Sequence, residues 1–239
     1  DLIQLIDMTD ASGFAALIAE PIQGVGGFAT PPDGFFGAMH KVLDANGILF
    51  ISDEVQTGWG RTGDHFWGYQ AHGIVPDILT FAKGVGNGIT LAGCVARADV
   101  MNAIERTSFT TFGGNPLSVA AGRATLKYVL DHDLQSNAAA RGLQMTQRLQ
   151  KVIDATEWIA ELRGKGLMLG IECVHPGGIE PNPNAANAFI EGCKSRGLLV
   201  GKGGLYGNVI RLTPMLNVSE EEVNEGCAVI AETIQSISG

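Results

Sequence analysis

The sequence predicts an α/β layer fold with a largely parallel sheet over residues 1–135, followed by a smaller α+β domain over 136–239. Three observations carry this. Short apolar runs alternate with helical repeats or long Gly-rich connections in the first part of the chain, the pattern of strands covered by crossover segments. A charged residue closes three of those runs: Glu20 after AALIA, Asp53 after GILFIS and Lys83 after DILTFA. Beyond about residue 135 the character changes to strands and helices that interleave, the pattern of an α+β domain.

The elements follow in order. The chain starts at Asp1 with no initiator Met and no basic-then-apolar signal region, and it is expected to enter an apolar strand soon after, as a chain beginning inside a fold would. Residues 15–20 read as a buried strand, and the Gly- and Pro-rich QGVGGFATPPDG as the loop after it. A helix is expected from Pro32 or Asp33 to about Ala45, with Phe36, Met39 and Leu43 on one face and Asn46-Gly47 as its stop. GILFISDE forms a second strand to Asp53, TGWGRTGDHFWG a polar, Gly-rich connection, DILTFA a third strand to Lys83, and LAGCVA a fourth. A linker helix spans about Asn115–Asp131, with Pro116 in its first turn and Leu117, Ala121, Ala124 and Tyr128 as its apolar repeat.

A further helix over 134–154 turns Ala138, Met145, Leu149 and Val152 inward. Strands follow at IAELRGKGLMLGIEC and NVIRLTP, with a helix at about 185–196 between them and GLLVGKGG as a turn. The last helix starts at Ser219, where Glu222 completes a capping box. Val223, Cys227, Ile230, Ile234 and Ile237 make its stripe.

Composition narrows the function classes. With 45% hydrophobic and 17% charged residues the chain is core-rich, not disordered. No apolar run of about 18 residues exists to span a membrane. The net charge of −9 and the scattered 16 Lys and Arg give no basic stripe for nucleic acid. Four cysteines and five histidines lie far apart, which points to free thiols in a reducing compartment and to no metal site.

Functional groups in α/β sheets sit just beyond the carboxyl ends of strands, so Glu20, Asp53 and Lys83 could converge on one edge. A lysine there is expected to be partly desolvated, which lowers its pKa and frees its amine as a nucleophile. By itself it reads equally as a solvated strand cap. Asp53, closing an apolar strand, needs a proton-bearing or positive partner. A helix cap or an ion pair would serve, and so would the ring nitrogen of pyridoxal 5'-phosphate (PLP), whose protonation makes the ring an electron sink.

The runs AEPIQGVGG, FISDEVQTGWGRTG, PDILTFAKGVGNG and TTFGGNPL, in this order, resemble the class III (ornithine/omega-type) aminotransferases. GKGLMLGIE and GLLVGKGGLYGNVIRLTP extend the resemblance over essentially the whole chain, nearest to the alanine–glyoxylate aminotransferase 2-like subgroup. The resemblance implies the PLP-dependent transferase fold type I, of which this chain would be the C-terminal part. It implies that Lys83 holds the cofactor as a Schiff base and shuttles a proton, and that Asp53 binds the pyridine nitrogen. Val55 would pack on the ring, Gln56 would bond near its hydroxyl, and Thr111 would reach the cofactor phosphate of a neighbouring subunit. Glu20 and Arg211 would form the substrate side, Arg211 as a bidentate grip on a carboxylate or, without the resemblance, as a surface ion pair.

The implied partners are a small-molecule amino donor and a keto acid such as pyruvate or glyoxylate. The implied assembly is a homodimer, or a tetramer built as a dimer of dimers, in the cytoplasm or the mitochondrial matrix. An aminomutase, racemase or decarboxylase on the same scaffold would share Lys83 and Asp53. The family's first arm and cofactor-phosphate loop have no counterpart in this chain, so the chain alone is expected to be poorly active or an inactive fragment. Two other motifs are set aside. GLLVGKGG lacks the spacing and hydroxyl of a phosphate loop, and Phe109 and Phe112 read as packing residues.

Overall fold

A computed structural model describes residues 2–9 and 13–238. The chain divides into two compact units. The first holds residues up to Pro21, Pro31–Trp59 and His65–His132. The second holds Asp133 onward together with Ile22–Thr30 and Gly60–Asp64.

The first unit opens with a helix, α1 (Leu2–Thr9), ahead of the apolar strand expected near the start of the chain. Leu2 and Ile6 are one helical turn apart, so a helix delivers both to the core formed by Phe36, Leu43, Ile48 and Phe50. The sheet comprises β1 (Ala16–Ala19), β2 (Leu49–Asp53), β3 (Ile78–Phe81) and β4 (Gly93–Ala96), in that spatial order. β1, β2 and β3 run parallel, and β4 runs antiparallel to β3. Helix α2 (Phe35–Ala45) covers the core. It starts two to three residues later than its pattern suggested, because Gly34 stands in the left-handed region at φ 79°. Buried Asp77 fastens the amino end of the sheet: its Oδ2 accepts from Phe50 N at 2.7 Å and its Oδ1 from Arg97 Nη1 at 2.6 Å.

After a short helix α3 (Ala98–Asn102), helix α4 (Pro116–Asp131) starts at an Asn115 cap that accepts from Ser118 N at 3.0 Å. Its packing face is not the apolar repeat. Leu117 and Tyr128 are 71% and 49% exposed, while Ser118, Gly122 and Val129 are buried. Gly122 decides this orientation, since a Cβ there would lie 2.4 Å from Leu91 Cδ2 and 3.5 Å from Val85 O. The helix therefore approaches the 83–91 segment through a small residue.

In the second unit, β5 (Ile159–Lys165), β6 (Met168–Cys173), β8 (Val209–Leu212) and β7 (Gly201–Gly203) form a sheet in that order, antiparallel throughout. Residues 201–203, read from sequence as a turn, are thus a strand in their own right. Helices α5 (Leu134–Asp154), α6 (Pro183–Ser195) and α7 (Glu220–Ser238) share a core with it that includes Leu149, Phe189, Ile210 and Ile234. The α7 capping box is present: Ser219 N donates to Glu222 Oε2 at 2.7 Å and Glu222 N to Ser219 Oγ at 3.1 Å. All four cysteines are free. Burial pushes the Cys173 thiol up to about 12 and the Cys227 thiol up to about 11.

Candidate active site

The carboxyl edge of the first sheet is built by register. Ala19 pairs with Ser52, and Asp53 pairs with Thr80. Glu20, Asp53 and the Thr80–Lys83 segment therefore leave the sheet on adjacent strands, about 4.8 Å apart from one strand to the next. Glu54 N extends the ladder past Asp53 by donating to Thr80 O at 2.9 Å.

Lys83 lies two residues beyond β3 and opens a 3-10 turn, Lys83–Gly86. Its φ is 49°, a left-handed conformation that costs a non-glycine residue about 1–2 kcal/mol. The turn is held from below, with Val85 and Gly86 buried and α4 packed closely through Gly122. The lysine side chain itself is exposed, so the desolvation expected from its place after an apolar strand is not found. Ala82 and the αL turn carry Lys83 clear of the sheet.

Asp53 is half-buried, and its Oδ1 accepts from Val55 N at 3.1 Å. Oδ2 makes no hydrogen bond among the described residues, which leaves an acceptor of fixed direction at the strand end. Val55 and Gln56 follow, both half-buried, and Glu20 is half-buried at the end of β1. Thr111 is exposed in the 111–114 turn ahead of α4.

Sequence reasoning passed over Glu54. It is fully buried, and four groups donate to its carboxylate: Ser52 Oγ (3.0 Å) and Tyr69 N (2.8 Å) to Oε1, Thr57 Oγ1 (2.6 Å) and Gly68 N (2.7 Å) to Oε2. Neighbouring strand residues point to opposite faces, so the acidic pair divides, with Glu54 directed inward. The connection after it, which reads as polar, is a packed structure. Trp59, Phe66, Trp67 and Phe81 interlock edge to face with centroids 5.1 to 5.7 Å apart. The sequence signal for this was the three aromatics among the glycines of the connection, Trp59, Phe66 and Trp67.

Arg211 belongs to the second unit. It sits on β8, and its guanidinium carbon lies 4.6 Å from the centroid of the Phe28 ring. Its cross-strand partners are glycines, Gly201 on β7 and Gly170 on β6. A Cβ at Gly203 would come within 2.7 Å of Arg211 Cδ. The bare strand thus makes room for the arginine stem, and Phe28 receives its head as a cation–π partner. Phe28, fully buried at φ 59°, was the second residue that sequence reasoning missed. Its loop is pinned by Arg163 Nε, which donates to Gly27 O at 2.9 Å, while the same guanidinium pairs with Glu161 and Glu172.

Comparison with known proteins assigns the chain to a family. The model of the family described as "Aminotransferase class-III" matches residues 2–234. The chain is similar to the human mitochondrial alanine–glyoxylate aminotransferase 2, at 40% identity over 90% of this chain and 42% of that protein. It is similar at 38% identity to an alanine/serine racemase of Pyrococcus horikoshii, over 92% of this chain and 46% of that one. Among solved structures, a transaminase from a marine Virgibacillus superposes with a TM-score of 0.92 at 29% identity, covering 99% of this chain and 56% of the other. The chain spans about half the length of the curated relatives it matches. The fold is that of the fold type I transferases, and the chain belongs to the class III aminotransferase family.

Proposed function

We propose that the carboxyl edge of the first sheet holds PLP and that the protein transfers an amino group from an amino donor to a keto acid such as pyruvate or glyoxylate. The observation that carries this reading is the pairing of a directed acceptor, Asp53 Oδ2, with an amine held in a strained turn on the adjacent strand. The donor set suits the cofactor: an acceptor for a protonated ring nitrogen, and a primary amine for the aldehyde carbon. When bound, PLP supplies a ring that draws electrons from the carbon bearing the substrate's amine.

The chain's own residues do the rest. Lys83 Nζ would hold the cofactor through its primary amine and, as a base and acid, would move a proton at the substrate carbon. Asp53 would hold the ring nitrogen in its protonated form, Val55 would pack on the ring and Gln56 would hydrogen-bond near its hydroxyl. Thr111, exposed ahead of α4, reaches the phosphate of a neighbouring subunit's cofactor, which makes the working unit a homodimer. Glu20 and Arg211 select the substrate. The name of the human relative, which is mitochondrial, favours the mitochondrion over the cytoplasm. No helix among the described residues is long and apolar enough to cross a membrane.

Borohydride reduction of the PLP-loaded full-length protein followed by peptide mapping tests the core of the proposal. The expected label is on Lys83, and a label on any other lysine overturns it. For the substrate side, Arg211→Ala is expected to raise the KM for carboxylate-bearing substrates about 10- to 100-fold while leaving simple amines nearly unchanged. Equal effects on both remove Arg211 from that role.

A racemase reading has one observation in its favour, the name of the Pyrococcus relative. It uses the same lysine and aspartate but needs no keto acid. Incubation with L-alanine separates the two, since transfer consumes glyoxylate and racemisation yields D-alanine without it.

A further inference from the structure

We propose that Glu54 is a positioning residue for the cofactor site: its buried carboxylate fixes the direction of Asp53 and, through Gly68, the strand end that bears Glu20. The inference rests on the PLP reading above. Three features of the first unit support it. Glu54 is the next residue after Asp53, and its own N–H is spent on Thr80 O, so the backbone at the end of β2 cannot turn independently of the Glu54 side chain. That side chain accepts from four donors drawn from three separate stretches, Ser52, Thr57 and Gly68–Tyr69. A carboxylate has two acceptor oxygens to share among four donors, whereas an amide of the same shape would turn its NH2 against two of them.

The third feature is the close approach at Gly68. Its N–H reaches Glu54 Oε2 at 2.7 Å, and a Cβ there would lie 2.8 Å from Thr57 Cβ and 2.9 Å from Pro21 Cβ. The segment drawn in by Glu54 is therefore wedged against Pro21, the residue after Glu20. One buried charge thus ties the cofactor-side acid on β2 to the substrate-side acid on β1. Thr57, also fully buried, is the natural second probe, because its hydroxyl can be removed without changing its shape.

The test is a double-mutant cycle read on PLP itself. The dissociation constant of PLP and the pH midpoint of its bound visible band are measured in wild type, Glu54→Gln, Asp53→Asn and the double variant, alongside the thermal midpoint. Glu54→Gln is expected to weaken PLP binding about tenfold or more and to move the pH midpoint, and to add almost nothing in the Asp53→Asn background. Thr57→Val is expected to act in the same direction and Thr57→Ser to restore wild-type values. Should Glu54→Gln fail to fold, Thr57→Val takes its place in the cycle. Equal losses in both backgrounds, or variants with unchanged PLP binding and band, overturn the inference. A full-length wild-type protein that takes up no PLP overturns the PLP reading and this inference together, whereas full-length wild-type binding with inert variants overturns this inference alone.

Discussion

Lys83→Ala is expected to slow amino transfer by about ten-thousandfold or more, because one substitution removes both the attachment point and the proton carrier. The measurement is single-turnover consumption of the amino donor in the PLP-loaded protein. A small amine such as methylamine added to the variant is expected to restore part of the rate, since it replaces the missing base without the tether. Stability should hardly change: Lys83 is exposed, and alanine meets the same left-handed strain at φ 49°. A variant that keeps more than about a tenth of the wild-type rate would move the chemistry away from Lys83.

Asp53→Asn is the second large effect, expected at about a hundred- to a thousandfold in rate. Electrostatic groups aimed at the reacting system carry effects of this size when removed. Asparagine can still accept from Val55 N through its Oδ1, so the strand end keeps its form. What is lost is the negative charge at the Oδ2 position that, on the proposed role, would keep a ring nitrogen protonated. The check is the rate together with the spectrum of bound PLP. An unchanged rate in a protein with normal PLP content would assign Asp53 to capping alone, the ordinary role of an aspartate that bonds to a backbone N–H two residues on.

Three strands of the first sheet were legible because each is an apolar run closed by a charge, alternating with helices or long connections as in a parallel sheet. The edge carrying Glu20, Asp53 and Lys83 followed from that order. What escaped were features set by contacts distant in sequence. Glu54 is satisfied by residues 52, 57, 68 and 69, and no local pattern announces that these four donors meet. Phe28 lies far along the chain from the Arg211 that rests on it. The face of α4 misled because close packing there selects the smallest residues, Ser118 and Gly122, over the larger apolar ones. The β7 strand is three residues long and two of them are glycine, which carries almost no strand propensity. Its glycines became intelligible only as space for an arginine. The exposure of Lys83 could not be read either, since apolar strand residues say nothing about what the turn after them does.

The left-handed turn at Lys83 has an evolutionary consequence. Among the twenty amino acids, lysine is a poor choice for that backbone, and glycine or asparagine would sit there with less strain. On the proposed role, the need for an amine at this point is what would keep a lysine in place. A lineage released from that need gains up to about 1 kcal/mol by exchanging it, once the greater chain entropy of glycine is set against the relief of strain. The identity of residue 83 therefore works as a record of selection. Glycine or asparagine at this position in an otherwise similar sequence marks a descendant that has given up the chemistry while keeping the fold.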